Sequence, residues 1–221
     1  MSVARGDFRL GPIDLRVDDG EYVVVEGPSG AGKSTLLEAV AGLVACESGR
    51  LTLCGRDATR LEPADRNVGF VPQDGVLFRA MSVAENLTFG LRARGVGRAE
   101  RRDRAGRLAE DLGLSGLLDR RPGDLSGGER RRVALGRALA FGPPVLLLDE
   151  PLASLDDASA EAIRKLLRDL HADRRFTALH ASHDVADRAL ADRVVRLDAG
   201  RLATDDTVPT PSPPPRGRGP G

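Results

Sequence analysis

The residue types best suited to chemistry occur in one glycine-rich run: Gly27, Pro28, Ser29, Gly30, Ala31, Gly32, Lys33, Ser34 and Thr35. Their order fits the phosphate-loop pattern G-x-x-x-x-G-K-S/T. Glycines allow the backbone to curve around an anion, and the amide groups at the start of the following helix point toward the phosphates. Lys33 would add positive charge near the β- and γ-phosphates, and the Ser34 hydroxyl would ligate Mg²⁺. The run therefore predicts a site for a nucleoside triphosphate and its magnesium ion.

A second helix start has a similar character. Ser126, a favoured N-cap residue, follows Leu125 and precedes Gly127, Gly128 and a helical segment that ends near Ala140. Backbone amides at such a helix start face outward toward an anion. The chain therefore carries two predicted phosphate-binding helix ends.

Polar residues also end three predicted strands. Asp149 and Glu150 follow a buried apolar run, and beside a phosphate loop they indicate metal binding and water activation. The alternative, two exposed acids in a turn, fits a buried strand less well. Gln73 ends another strand and His183 follows a third, where α/β folds collect the polar groups of a site. A lone histidine is nevertheless usually structural.

The charge balance excludes some classes of partner. The 221 residues contain 33 Lys and Arg and 33 Asp and Glu, so no net field draws the chain to nucleic acid or to an anionic membrane. The arginine clusters at 101–102 and 130–132 are interleaved with acids, which favours solvated helix faces over a polyanion site. Cys46 and Cys54 lack the spacing of a metal site. No apolar run approaches the ~18 residues of a membrane helix, so we expect any membrane role to act through a partner protein.

The remaining pattern predicts an α/β domain with an insertion. Residues 7–26 alternate apolar and polar side chains, which predicts antiparallel edge strands leading into the strand before the phosphate loop. Residues 74–138 carry a helical pattern rich in Arg and Glu, which predicts a helical subdomain inserted in a domain spanning residues 1–202. The segment 194–202 predicts a final hairpin. Residues 203–221 are rich in Pro and Gly and predict a disordered tail.

Together these motifs resemble those of the ATP-binding cassette (ABC) ATPases over residues 7–202. The resemblance rests on motifs that occur in family order: the phosphate loop, Gln73, the signature at 125–129, Asp149 with Glu150, the loop at 153–156, and His183. It implies an α/β fold with a P-loop NTPase core and a RecA-like mixed sheet. An antiparallel β edge subdomain and an inserted α-helical signature subdomain would complete it.

The resemblance also implies ATP and Mg²⁺ as ligands and a head-to-tail homodimer that encloses two ATP molecules. The phosphate loop of one chain would hold the phosphates together with signature residues of the other chain, Ser126, Gly127 and Gly128. The metal ion would be bound through three side chains, Ser34, Gln73 and Asp149.

The remaining motif residues would have catalytic and coupling roles. Glu150 would polarise the attacking water, and Gln73 would sense both the water and the metal ion. His183 would contact the γ-phosphate, and Asp156 would couple the two sites across the interface. ATP hydrolysis is therefore the expected activity.

Within the family, residues 71–78 and 83–87 are similar to the cassettes of bacterial importers, where this region forms the groove that receives a coupling helix of the membrane permease. The expected partners are a second ATPase subunit, an integral membrane permease and, for an importer, a substrate-binding protein, at the cytoplasmic face of the cell membrane. No nucleic acid partner is expected. The alternatives are the cassette of an exporter or another membrane complex, a soluble ABC ATPase without a transport role, and a nucleotide switch that does not hydrolyse ATP.

Three places depart from the family pattern. The fifth signature residue is Glu129 instead of the common Gln, a variant that the family tolerates. Arg79 and Ala80 stand where importer cassettes usually have Pro-His, which leaves the permease contact open. The position expected to stack on adenine holds Ala4, so stacking is either absent or comes from Phe8. No regulatory domain is expected after the final hairpin.

Overall fold

The structure, a computed structural model, describes residues 1–207. Its strands are β1 Val3–Arg5, β2 Phe8–Leu10, β3 Tyr22–Glu26, β4 Thr52–Leu53, β5 Arg56–Asp57, β6 Val68–Val71, β7 Val145–Asp149, β8 Thr177–Ser182, β9 Arg193–Asp198 and β10 Arg201–Thr207. Its α-helices are α1 Lys33–Ala41, α2 Val83–Leu87, α3 Phe89–Ala93, α4 Arg98–Asp111, α5 Gly127–Leu139 and α6 Asp157–Arg174. No helix within residues 1–207 has both the length and the apolar composition needed to cross a bilayer.

A six-stranded sheet lies at the centre, in the order β10-β9-β3-β8-β7-β6. The strands from β9 to β6 pair in parallel, and β10 pairs antiparallel with β9. β3 and β7 are nearly continuous runs of Val and Leu, because parallel strands are covered on both faces. The carboxyl ends of β3, β6, β7 and β8 share one edge, and the predicted site residues follow these ends.

Helices cover both faces of the sheet. Side chains alternate along each strand, so neighbouring residues enter opposite apolar clusters. Val23 and Val25 of β3 belong to the cluster that contains Leu36 of α1. Val24 between them belongs to the cluster that contains Val133 of α5 and Leu167 of α6. The core is therefore three-layered, with α1 on one face and α5 and α6 on the other.

The predicted fold class is confirmed. The core is α/β with a mixed sheet, and β1 with β2 and β4 with β5 form two small antiparallel pairs at its edge. Helices α2, α3 and α4 lie between β6 and α5, within the predicted insertion, and α2 packs on both α4 and α5.

Two boundaries differ from the sequence prediction. The alternation at residues 13–17 predicts a strand, but the antiparallel edge is the β1–β2 hairpin and residues 11–18 have no regular structure. The predicted disordered tail begins too early, because β10 continues to Thr207 and pairs along β9 past a register shift at Leu202/Thr204. Main-chain pairing rather than side-chain burial holds this polar strand, so composition alone missed it. The rest of the predicted tail, 208–221, lies outside the described residues.

Candidate functional site

The phosphate loop connects β3 to α1, and its lysine is held from within the loop. Lys33 is buried, and its Nζ donates hydrogen bonds to the carbonyl oxygens of Gly27 at 2.8 Å and Pro28 at 3.3 Å. An ammonium group so placed is fixed at the start of α1, where the backbone amides carry the positive end of the helix dipole. The loop therefore concentrates positive charge at one point.

Two glycines of the loop are sterically required. Gly27 has φ 153°, and a Cβ there would come within 2.3 Å of the Leu197 carbonyl oxygen. Gly32, the N-cap of α1, has φ 104°, and a Cβ there would meet Phe8 at 2.9 Å. A larger residue at position 27 would have to move the Leu197 backbone, and one at position 32 would have to move the Phe8 ring and adopt a strained φ.

A hydroxyl and a carboxylate meet beside the lysine. The Ser34 Oγ donates to Oδ1 of Asp149, the last residue of β7, over 3.0 Å. Burial raises the pKa of Asp149, and the hydrogen bond from Ser34 opposes this shift. Hydroxyl and carboxylate oxygens are the ligands that Mg²⁺ prefers, so this pair fits the predicted metal. Within residues 1–207 no group of three or more His, Cys, Asp or Glu side chains could hold a metal ion, and Mg²⁺ usually takes one or two carboxylates together with phosphates and water.

Glu150 is the centre of a cluster of predicted site residues. Its Oε2 accepts a hydrogen bond from Gln73 Nε2 at 3.2 Å and lies 3.4 Å from His183 Nδ1. Its Oε1 lies 3.8 Å from Lys33 Nζ. The backbone of Glu150 is left-handed, with φ 44°, and its amide donates to the Ala181 carbonyl at 2.9 Å. Four side chains from four separate segments thus meet at the carboxyl edge of the sheet.

The signature residues lie elsewhere on the chain. Ser126 is the N-cap of α5, and a capping box ties it to Glu129: Ser126 Oγ accepts from the Glu129 amide, and Glu129 Oε2 accepts from the Ser126 amide at 2.6 Å. These hydrogen bonds lower the pKa of Glu129. Ser126 and Gly127 are exposed and Gly128 is half-buried. The hydrogen bonds that cap this helix start therefore come from the residues of the helix start itself.

Asp156 lies beside the signature. It is the N-cap of α6, and its side chain accepts from the Ser159 amide at 3.0 Å, which lowers the pKa of Asp156. A Cβ added to Gly128 would meet Ser159 at 3.5 Å, which places the starts of α5 and α6 next to each other. The exposed signature and the Asp156 loop thus form one continuous surface.

An open cleft of about 460 Å³ adjoins the phosphate loop. Its lining comes from three parts of the chain: Arg5 and Phe8, the loop residues Ser29, Gly30, Gly32, Lys33, Ser34 and Thr35, and the pair Gln73 and Glu150. The described residues that line it include neither Ala4 nor the signature. Phe8 is thus a lining residue of the cleft, and its stacking on adenine stays a prediction. Arg5, which pairs with Glu38 at 2.5 Å, is a cleft residue that sequence reasoning missed.

A second recess lies between the Gln73 loop and α5. Its volume is about 740 Å³, and its lining includes Asp74, Arg79 and Arg130. Near it, Phe78 stacks on Phe89 with ring centroids 4.4 Å apart, and both rings are partly exposed. An apolar pair rimmed by arginines is typical of an interaction surface.

A phosphate loop between a parallel strand and a helix, with carboxylates at the end of another parallel strand two places away in the same sheet, defines a P-loop NTPase-like nucleotide-binding fold. The sequence profile described as "ABC transporter" matches residues 10–153. The chain belongs to this ABC transporter family.

Several characterised proteins are similar to the chain. It is 48% identical over 192 residues to the maltose/maltodextrin import ATP-binding protein MalK of Yersinia pestis. The matched region covers 86% of this chain and 52% of MalK. It is 48% identical over 203 residues to the sulfate/thiosulfate import ATP-binding protein CysA of Methylococcus capsulatus, and the match covers 89% of this chain and 58% of CysA. The chain thus spans about half the length of the curated relatives it matches.

Solved structures agree with the fold. A dimeric post-hydrolysis state of the ATP-binding cassette MJ0796, bound to ADP and Pi, superposes with a TM-score of 0.83. The sequence identity is 28%, and the match covers 95% of this chain and 96% of that one. A dimeric structure of the same bacterial ABC transporter cassette gives the same values.

Proposed function

We propose that this chain binds and hydrolyses ATP as the nucleotide-binding subunit of an ABC transporter. The observation that carries the proposal is the position of Glu150, within 3.2 to 3.8 Å of Gln73, His183 and Lys33. A carboxylate so placed, next to a phosphate loop, can accept a proton from an attacking water. The ADP and Pi bound in the post-hydrolysis structure of the MJ0796 cassette support the same activity.

Each site residue has a role in this reaction. Lys33 and the amides of the phosphate loop would bind the β- and γ-phosphates. Ser34 and Asp149 would hold Mg²⁺, which supplies positive charge to the phosphates. Glu150 would take a proton from the water as its oxygen attacks the γ-phosphorus and the bond to the bridging oxygen of ADP breaks.

The other two members of the cluster would position the reacting groups. Gln73 would orient the attacking water, because its amide already contacts the Glu150 carboxylate. His183 would contact the γ-phosphate from the exposed side of the cleft, where 64% of its side chain is accessible. Both residues would thus act on the same face of the γ-phosphate as Glu150.

A second copy of the chain would complete each site. Ser126, Gly127 and Gly128 present a finished helix start to solvent, away from the residues that line their own chain's cleft. In a head-to-tail homodimer this helix start would contact the γ-phosphate held by the partner's phosphate loop. Asp156 lies beside it and would join the two sites. The dimeric state of the MJ0796 cassette supports this arrangement.

The cleft extends from the phosphate loop to Arg5 and Phe8, and the base would lie there. A guanidinium plane and an aromatic ring both stack on nucleobases. Arg5 is held by Glu38 in α1, which fixes the guanidinium at the rim of the cleft. Neither group reads the hydrogen-bonding edge of adenine, so we expect weak discrimination between bases.

We further propose that the chain serves an importer at the cytoplasmic face of the cell membrane. The curated relatives are named as import proteins, and the exposed Phe78 and Phe89 pair provides a surface for an integral membrane permease. A substrate-binding protein is a further proposed partner. The cassette of an exporter is the second candidate, because Arg79 and Ala80 depart from the importer pattern at this surface.

The test of the ATPase proposal is the Glu150→Gln variant. Glutamine keeps the size of the side chain but cannot accept the proton, so hydrolysis should fall by about 100-fold or more while ATP still binds. Light scattering in excess ATP should then detect a stable dimer. A variant that stays monomeric, or that hydrolyses ATP at the normal rate, would contradict the assignment.

The test of the transport proposal is a pull-down from detergent-solubilised membranes. Mass spectrometry should find a polytopic permease together with a binding protein if the complex is an importer. A permease alone would favour export. Recovery of only soluble or nucleic-acid partners would exclude a transport role while leaving the ATPase proposal in place.

A further inference from the structure

A buried network of charged and polar side chains lies behind His183. Its members are Arg164 of α6, Ser182 at the end of β8, and Asp184 and Asp187 just beyond it. None of them lines the nucleotide cleft or has a role in the proposed reaction. The side chains of Asp187 and Arg164 are 2% and 8% exposed, whereas that of Asp184 is 50% exposed. Charges are rarely buried to this extent unless they are paired and hydrogen-bonded.

The network holds both neighbours of His183 in the chain. Arg164 Nε donates to Asp187 Oδ1 at 2.7 Å, and Arg164 Nη2 donates to the Asp184 carboxylate. Ser182 Oγ donates to Asp187 Oδ2 at 2.5 Å and accepts from the Asp184 amide at 2.9 Å. Asp184 after His183 is therefore fixed directly to the Arg164 guanidinium, and Ser182 before it is fixed to the same guanidinium through Asp187.

His183 itself has little else to hold it. Its side chain is 64% exposed, and its Nδ1 atom lies 3.4 Å from the Glu150 carboxylate. An exposed side chain on a loop keeps one position only if the backbone beneath it is fixed. The orientation of His183 toward Glu150 therefore depends on the two tethered neighbours.

The same arginine connects His183 to the surface that would face the partner subunit. Arg164 lies two turns along α6 from Asp156, the N-cap of that helix. The backbone between them is continuously helical, so the N-cap and Arg164 belong to one hydrogen-bonded element. The network around His183 is therefore anchored on the same helix that begins at the Asp156 surface.

We propose that Arg164 is a positioning residue that acts through His183, holding the histidine against Glu150. The proposal rests on the proposed ATPase function. We expect the network to affect the rate of ATP hydrolysis rather than the binding of ATP. Lysine at position 164 would keep the charge but lose the fork that reaches both aspartates.

The experiment is a double-mutant cycle of Arg164→Lys and His183→Ala, measured as steady-state ATP hydrolysis of the full chain. Arg164→Lys should lower kcat by about tenfold and leave the KM for ATP within about twofold, the pattern expected when an interaction of the transition state is lost. In the His183→Ala background it should cause little further loss, because both changes remove the same interaction. Arg168→Lys, an exposed arginine one turn further along α6, is the matched control.

A second measurement does not depend on hydrolysis. The chain has three histidines, so their imidazole signals can be assigned by NMR. Arg164→Lys should shift and broaden the His183 signals, and Arg168→Lys should leave them unchanged. Thermal unfolding of each variant would identify a general loss of structure.

The outcomes separate the two proposals. Independent, multiplicative losses of kcat, a rise in KM without loss of kcat, or unchanged His183 signals in Arg164→Lys would overturn the role of Arg164. A wild-type chain without ATPase activity would instead contradict the proposed function, and the NMR comparison would still decide whether Arg164 positions His183.

Discussion

The starts of α1 and α5 both present backbone amides to an anion, but they are built in opposite ways. α1 begins after Gly32, a residue without a side chain to cap the helix, and the buried Lys33 follows directly. α5 begins after Ser126, whose capping box with Glu129 satisfies amides from within the helix. The first helix start therefore leaves its amides to a ligand, whereas the cap of the second satisfies the amides of Ser126 and Glu129 and leaves those of Gly127 and Gly128 for a ligand.

This difference accounts for the proposed division of the site between two chains. The α1 side gathers its groups from four segments of one chain, and its carboxylate Asp149 has a raised pKa because it is buried. The α5 side is formed by residues that are adjacent in the sequence, and its acid Glu129 has a lowered pKa because of its hydrogen bonds with Ser126. We therefore expect the buried, multi-segment side to bind ATP alone, and the exposed helix start of α5 to add contacts to ATP that another chain already holds.

The largest expected effect comes from the α1 side, with Lys33→Ala. Loss of a charge-assisted contact to the phosphates should weaken ATP binding by about 100-fold, corresponding to about 3 kcal/mol. Isothermal calorimetry would measure it. The control is Lys165→Ala, the chain's other lysine, which is exposed and pairs with Asp169. Equal ATP affinities of Lys33→Ala and the wild type would contradict the expected role of the α1 start in binding phosphate.

The next effect comes from the α5 side, with Gly128→Asp. A Cβ there meets only Ser159 at 3.5 Å or more, and an acid in the first turn suits the helix dipole, so the monomer should stay folded. The new carboxylate would repel the phosphates bound by the partner, and hydrolysis should fall by about tenfold or more while calorimetric ATP affinity is kept. Gly97→Asp, at the exposed start of α4, is the control. A loss of ATP affinity in the monomer would show that α5 is not a separate half-site.

A smaller effect is expected at the far end of the cleft, with Arg5→Ala. Loss of guanidinium stacking should weaken ATP binding by about threefold to tenfold, and binding of inorganic tripolyphosphate, which lacks a base, should not change. Arg9→Ala, an exposed arginine paired with Glu47, provides the control. Equal weakening for ATP and tripolyphosphate would place Arg5 with the phosphate contacts instead.

The smallest effect concerns the charge of the α5 cap, tested with Glu129→Gln. Because the folded pKa of Glu129 lies below its ordinary value of 4.5, the folded state holds the carboxylate more strongly than the unfolded chain does. Its stabilisation is therefore complete above about pH 4.5 and is lost as the pH falls through the lowered pKa. The variant should have a slightly lower Tm than the wild type at pH 7, and the difference should shrink in acid. A Tm difference that grows in acid would contradict this sign.

Local patterns predicted much of this molecule. The phosphate loop, the N-cap at Ser126 and the acids at the end of β7 follow from spacing and strand ends, which depend on a few neighbouring residues. The cleft residue Arg5 and the network around Arg164 were not predicted, because Arg5 meets Glu38 and Arg164 meets Asp187 only after separate elements pack together. Periodicity indicates which face of an element is buried, but not which polar side chains meet there.

The left-handed backbone of Glu150 has a consequence for any attempt to stabilise the protein. Successive residues of a strand point to opposite faces, yet Asp149 and Glu150 both reach side chains at the start of α1, and the turn at Glu150 makes this possible. Such a conformation costs a residue with a Cβ about 1 to 3 kcal/mol. A library of variants selected for thermal stability alone should therefore enrich glycine or asparagine at position 150. These variants would lack the carboxylate that the proposed ATP hydrolysis requires.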